Sequence, residues 1–365
     1  MTEKQQSNEF VATCVIYFAI FLLLTVMRIA GALGFYSLFS GLGAEIFFTL
    51  IAQVGIMTLL PVIAMVRYRK KHHKQPEIGM SFSEYCTMKG AKTEPGVWKS
   101  WGFGKTTGRV IAFAFLLGVL MFFFNVFVST FFNTILALFG FRHMGGGSPM
   151  EVTFWAFMVA LFLGAVLPGF CEEVTHRGLL MKGFAGRLGI MKAVMLSSIL
   201  FGLIHMNVVQ VFFCIVLGYI MALAMLATRS AWTAVIMHFV NNAIAVYLMF
   251  GSANGWFLGN ILDLIFNMGG LSILFVFVFF AVCYWGMMQI IHNFARENYV
   301  KDRLAIEEGP VQLPRFTGSA AIRFYLTAGE TRQKVELRPV EKTLLYGLLF
   351  LGTVITGMTL VWGFL

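Results

Sequence analysis

Residues 110–139 read VIAFAFLLGVLMFFFNVFVSTFFNTILALF, thirty consecutive positions without one Asp, Glu, Lys or Arg. About 20 predominantly apolar residues suffice to cross the hydrocarbon core of a bilayer as a helix. No water is available there to satisfy backbone N–H and C=O groups, so such a segment must be helical. The run therefore sets the fold class as all-α, a polytopic transmembrane helical bundle. Comparable runs lie near 10–33, 43–66, 153–181, 190–206, 208–227, 231–250, 270–292 and 343–364, which gives nine spans. The run at 190–206 is short, and little more than Met206-Asn207 separates it from the next. Eight spans with a re-entrant pair is the alternative count. Composition agrees: 59% of residues are hydrophobic and only 12% charged, against roughly 25% charged in soluble domains. A soluble chain with so few charges could not cover its surface.

The spans divide the chain. Two N-terminal helices occupy 1–66, a basic loop 67–109, a transmembrane core 110–292, a second basic loop 293–342 and a last helix 343–365. The net charge of +10 is concentrated in those two loops and in the turns carrying Lys182, Arg187, Lys192 and Arg229. With nine alternating spans all of these fall on one side. That is a positive-inside pattern, and it points to anionic membrane lipid as a partner and not to nucleic acid. The expected location is a bacterial plasma membrane, multi-pass, with the N-terminus cytoplasmic and the C-terminus outside. Only Lys4 precedes the first apolar run and no small-residue cleavage site follows it, so the first helix is expected to be retained.

In the first loop Phe82, Tyr85, Trp98, Trp101 and Phe103 suit a membrane interface. In the second, Ala321–Leu326 and Lys334–Leu337 suggest a small β-hairpin. The five cysteines form no C-x-x-C and read as small buried residues, with Cys171 beside Glu172 as a supporting position at most.

Charges inside a membrane are costly, so each is a functional hypothesis. Arg28 and Glu45 lie at similar depth on the first two spans and are expected to form an ion pair. The richer set is Glu172-Glu173-Val-Thr-His176-Arg177, Phe201-Gly-Leu-Ile-His205 and His238-Phe-Val-Asn241-Asn242. Residues four apart share a helix face, which pairs Glu172 with His176, Glu173 with Arg177, Phe201 with His205 and His238 with Asn242. At 1.5 Å per residue, Glu172 lies roughly 15 Å above Lys182 and His205 roughly 20 Å above Lys192. His238 and Asn242 lie roughly 14 and 20 Å above Arg229. Three helices thus place polar faces at one depth, which points to one shared site reached from the cytoplasmic side.

A carboxylate, two imidazoles and an amide in a membrane cavity suit water activation. Glu172 can act as general base, His205 can share the water, and His238 and Asn242 can donate to a developing oxyanion. Alternatively Glu172, His205 and His238 can bind one divalent metal such as zinc, since two histidines and a carboxylate are an accepted ligand set. Both routes stay open. No H-E-x-x-H and no G-x-S-x-G is present.

The ordered triplet Glu172-Glu173-x-x-x-Arg177, Phe201-x-x-x-His205, His238-x-x-x-Asn242 resembles the CPBP family, the type II CAAX-prenyl-protease and bacteriocin-processing (ABI) membrane proteases, over roughly 150–250. The resemblance implies intramembrane hydrolysis of peptide bonds in membrane-associated peptides or proteins. It implies Glu172 as catalytic carboxylate, His205 as its partner on water, His238 and Asn242 as the oxyanion site, and Glu173, Arg177 and Phe201 as supports. Members are described both as metalloproteases and as metal-independent glutamate proteases. His176 departs from the pattern, which has an aromatic residue before the arginine. A non-catalytic immunity or scaffold protein and a proton-coupled transporter are the alternatives; the absence of an internal repeat weighs against the latter.

Overall fold

The computed structural model describes residues 3–34, 42–72, 96–141, 153–262, 270–306, 311–330 and 335–362. Ten helices of eight or more residues order these segments: α1 Glu3–Ala32, α2 Leu42–His72, α3 Gly108–Leu138, α4 Phe154–Leu188 and α5 Ile190–Leu203, then α6 Val208–Thr228, α7 Ala231–Asn254, α8 Gly270–Leu304, α9 Gly318–Thr327 and α10 Pro339–Trp362. All but α5 and α9 are long and apolar enough to cross a membrane, so the chain is a multi-pass integral membrane protein. The 14 residues of α5 make a rod of about 21 Å, short of the roughly 30 Å hydrocarbon core. Eight described helices are thus long and apolar enough to cross by themselves, and the shorter α5 carries the chain from the Arg187 end of α4 back to the start of α6.

The expected hairpin of the second loop is corrected. Ala321–Leu326 lies inside α9, where Ala321, Ile322, Tyr325 and Leu326 are buried, the i, i+1, i+4, i+5 spacing of a helix and not the alternation of a strand. Lys334 lies outside the described residues, and 335–337 carries no regular structure. In the first loop Phe82 and Tyr85 also lie outside them. Trp101, expected at the interface, is instead buried at 1% exposure. A Cβ on Gly178 of α4 would come within 2.7 Å of its ring, so glycine is what admits the indole.

Helix starts follow local chemistry. The Thr107, Thr153 and Asn207 side chains accept from the N–H groups of Val110, Ala156 and Val209, as N-caps should. α6 occupies the centre, packed by α3, α5, α7 and α8.

Two prolines shape the helices that carry the site. A proline inside a helix removes the N–H that would serve the carbonyl four residues earlier. Pro61 in α2 deprives Met57, and Pro168 in α4 deprives Gly164. Both helices widen to π-turns just before, at Ile51–Leu59 and Phe162–Val166, and both carbonyls are served from a neighbouring helix. Thr175 Oγ1 donates to the Met57 carbonyl at 2.5 Å, and Asn242 Nδ2 donates to the Gly164 carbonyl at 3.0 Å. Cross-helix donors of this kind re-satisfy freed backbone groups in apolar surroundings, and here they fasten α2 and α7 to α4. Close approach of α4 and α7 needs Gly169, where a Cβ would lie 3.0 Å from the Phe239 backbone nitrogen.

A buried ion cluster closes one end of the bundle. Arg187 at the end of α4 bonds Glu341 of α10 at 3.0 Å and Glu3 of α1 at 3.1 Å, and Ser7 donates to the same Glu341 carboxylate. At this end Arg229 pairs with Asp302 and Arg109 with Glu297.

Candidate active site

The site is built around one ring. Phe201 of α5 has three imidazoles edge-on to it, with centroids at 4.9 Å for His176, 5.1 Å for His205 and 5.7 Å for His238. The Arg177 guanidinium carbon lies 4.8 Å from its centroid, a cation–π contact. The three motifs, distant in sequence, thus meet at a single aromatic side chain.

On one side of that ring lies a clamp sealed from solvent. Glu173 is 0% and Arg177 1% exposed. Arg177 Nε is 3.0 Å from Glu173 Oε2, and its Nη2 donates to the Gly218 carbonyl of α6 at 3.1 Å. His238 Nδ1 lies 3.0 Å from Glu173 Oε1. A carboxylate only accepts, so Nδ1 carries the proton. The neutral ring then offers a lone pair at Nε2, which becomes a donor only when the ring takes a second proton.

On the other side lies an open pair. Gln53 Nε2 donates to Glu172 Oε1 at 3.1 Å. Glu172 Oε2 makes no hydrogen bond and lies 3.9 Å from His205 Nε2, beyond direct bonding distance. His205 Nδ1 donates to the Phe201 carbonyl at 2.7 Å, which leaves Nε2 as the acceptor of a neutral ring. A cavity of about 430 Å³ adjoins this pair, lined by Glu172, His205, Arg28, Gln53, Thr49 and apolar neighbours.

The cavity's position is a correction. Leu24, Met27 and Arg28 of α1 line it, while Glu3 of the same helix bonds Arg187. Arg28 is 25 residues further on, about 37 Å along the helix. The cavity therefore lies toward the end of the bundle away from the basic cluster, not toward the cytoplasmic side as expected. Counting depth from basic residues gave height but not the open face.

Two further expectations are corrected. No ion pair joins Arg28 to Glu45 among the described residues; Arg28 Nη1 donates instead to the His205 carbonyl at 2.8 Å. His176 does not bond the Glu172 carboxylate. Its Nδ1 donates to the Glu172 backbone carbonyl at 2.8 Å, and its Nε2 lies 3.2 Å from the Tyr17 hydroxyl. The wide turn Val174–Leu180 shifts the face that an unbroken helix would give it. Among the described residues no cluster of three or more His, Cys, Asp or Glu side chains suited to a metal occurs. His238 is drawn to the other carboxylate.

Asn242 stands apart from the open pair. Besides its bond to Gly164, its Oδ1 accepts from Asn241 Nδ2 at 2.9 Å, and it does not line the cavity. Two residues at the site escaped the sequence reading, Gln53 and Tyr17. Gln53 carried a signal, being the only amide in the apolar run 46–65.

These features define a class: a multi-pass helical membrane protein holding an acid–imidazole pair at a cavity, beside a sealed acid–guanidinium–imidazole clamp. Residues 152–244 match the Rce1-like family, the type II CAAX prenyl endopeptidases. The match runs from α4 into α7, includes all three motifs, and bears out over that segment the resemblance they suggested. No curated protein and no solved structure matches the chain.

Proposed function

We propose that the chain is an intramembrane endopeptidase in which Glu172 and His205 activate a water molecule. The observation that carries this reading is the 3.9 Å gap between Glu172 Oε2 and His205 Nε2 at the cavity. With His205 neutral both atoms are acceptors, and a water about 2.8 Å from each bridges them. Its two hydrogens are then engaged and its lone pairs free to attack. The match of this segment to a CAAX-type protease family supports peptide hydrolysis as the reaction.

In the step so defined, the water oxygen bonds to the peptide carbonyl carbon and Glu172 takes the proton. The carbon–nitrogen bond then breaks, and the proton passes from Glu172 to the departing amine, as a general base turned acid does. Developing charge on the carbonyl oxygen needs donors. Arg28 and Gln53 are donors in the same cavity. His238 serves only as imidazolium, and Asn242 through the amide hydrogen that Gly164 does not use. Glu173, Arg177 and Phe201 hold the frame. No step is routed through a metal, because the donors are not grouped for one.

Substrates of this reading are membrane-associated peptides or protein segments that reach the site from the bundle end opposite the basic loops. With those loops in the cytoplasm, as their charge favours, that is the outer half of a bacterial plasma membrane. The test is cleavage of membrane-anchored peptides by the full chain in proteoliposomes, read by mass spectrometry in ¹⁸O-labelled water. New C-termini carrying ¹⁸O with the parent chain, and none with Glu172→Gln, are expected. Equal cleavage by both overturns the assignment.

A further inference from the structure

A second cavity, of about 1180 Å³, opens at the basic end of the bundle. It lies between α5, α6, α8, α9 and α10, away from the Glu172 pair. Most of its wall is apolar: Phe124, Met195, Val216, Leu223, Met288 and Leu345. Its charged lining is Lys192, Arg323, Lys342 and Glu336, a net charge of +2. Lys192, Arg323 and Lys342 are exposed, and none of the three forms an ion pair among the described residues. Two other cations at this end are neutralised, Arg187 by Glu341 and Glu3, and Arg229 by Asp302.

We propose that this cavity binds one anionic glycerophospholipid, its headgroup on Lys192, Arg323 and Lys342 and its acyl chains along the apolar wall. Basic pockets between transmembrane helices recognise anionic headgroups in this way. The volume exceeds the 300–1,000 Å³ typical of small-ligand pockets, which suits a two-chain lipid. Charge complementarity selects an anionic headgroup over a zwitterionic one. The bound lipid would add to the packing that α9 already makes with α5, and α10 with α5 and α6. The inference is independent of the proposed hydrolysis.

The experiment uses the full chain purified in a neutral detergent, with melting temperature read against added lipid. Phosphatidylglycerol should raise it saturably, and phosphatidylcholine of the same chains should not. The triple variant Lys192→Gln, Arg323→Gln, Lys342→Gln should weaken the apparent affinity for phosphatidylglycerol at least tenfold. A control triple at the end of α2, Arg67→Gln, Lys70→Gln, Lys71→Gln, should retain the parent's response. Ala320→Trp fills the cavity while keeping its charge and should also weaken the lipid response; it keeps the test decisive if the triple variant fails to fold. Equal shifts with both lipids, an undiminished response in the cavity variants, or the same loss in the control overturns the proposal. So does a full shift from inorganic phosphate alone, which would make this an anion site and not a lipid site.

Discussion

Glu172 and Glu173 are adjacent in sequence and opposite in circumstance. Glu173 faces a buried guanidinium and an imidazole and has no exposed surface. Glu172 has one amide partner, one oxygen without a hydrogen bond and a cavity beside it. Consecutive helix positions point about 100° apart, the angle set by 3.6 residues per turn. One carboxylate therefore meets His238 of α7 and Arg177 of its own helix, while its neighbour meets α2 and the end of α5. A carboxylate held between a buried guanidinium at 3.0 Å and an imidazole at 3.0 Å, with no exposed surface, holds structure together. One with an uncommitted lone pair near an acceptor imidazole can hold and move a proton.

The largest expected effect lies on the sealed side. Glu173→Ala leaves Arg177 charged and unpaired in an apolar interior, and breaking a buried pair costs about 3–5 kcal/mol. Denaturant titration of the purified variant should show that loss. A double variant Glu173→Gln, Arg177→Met should recover much of it, since an uncharged pair of similar volume avoids the orphaned charge. If Glu173→Ala were as stable as the parent, the clamp would not be structural.

Next come the bonds that serve the proline-orphaned carbonyls. Thr175→Val should lower stability by about 1–3 kcal/mol, the cost of an unsatisfied buried polar group, and Asn242→Ala by less, since the Gly164 carbonyl lies on an exposed face of α4. Adding Pro168→Ala to Asn242→Ala should relieve the loss, because alanine restores an N–H to the helix. No relief would show that Asn242 acts through something other than Gly164, an oxyanion contact among the candidates.

On the open side, Arg28→Gln removes the donor to the His205 carbonyl. Arg28 is also a donor in the cavity, and loss of a donor to a developing oxyanion costs about 10²-fold or more, so kcat/KM should fall at least tenfold. Arg28 is exposed, so the melting temperature should change little. Retention of activity by Arg28→Lys would show that a point charge suffices there.

The smallest effect concerns a carboxylate with no cation partner among the described residues and no cavity role. Glu330, beyond the membrane helices, accepts from the Ile190 N–H at 2.5 Å. Burial pushes its carboxyl above the usual 4.5, with the Ile190 bond opposing. The unfolded chain therefore ionises first as pH rises through that range. Stability from this group falls as pH increases above 4.5 and stays lower beyond the raised value. Glu330→Gln keeps an acceptor oxygen, so it should melt slightly higher than the parent at pH 7 and equally at pH 4. The reverse order would contradict the role of burial.

Much of this could be read from the sequence, for reasons particular residues make plain. Apolar runs such as 110–139 admit only helices in a bilayer, so the bundle and most spans followed. The i, i+4 rule found Glu173–Arg177 and placed Phe201 and His205 on one face, and depth counting brought three helices to one level. Rotation about the helix axis was not readable. The wide turns before Pro61 and Pro168, and at Val174–Leu180, shift each face by part of a turn. That is why His176 met a carbonyl and Tyr17 in place of the Glu172 carboxylate. It also explains why Asn242 met Gly164, which lies in the wide turn before Pro168. Both prolines were visible; their orphaned carbonyls, and hence the need for Thr175 and Asn242, follow only once the helices are known to be continuous through them.

The central claim, that Glu172 does chemistry where Glu173 does not, is tested most directly by Glu172→Gln alone. Peptide cleavage in proteoliposomes and melting temperature should be measured on the same preparation. General acid–base catalysis is worth about 10²–10⁴-fold, so cleavage should fall by at least a hundredfold while the melting temperature stays at the parent value. Undiminished cleavage, or a loss of activity matched by a large drop in melting temperature, would contradict the account.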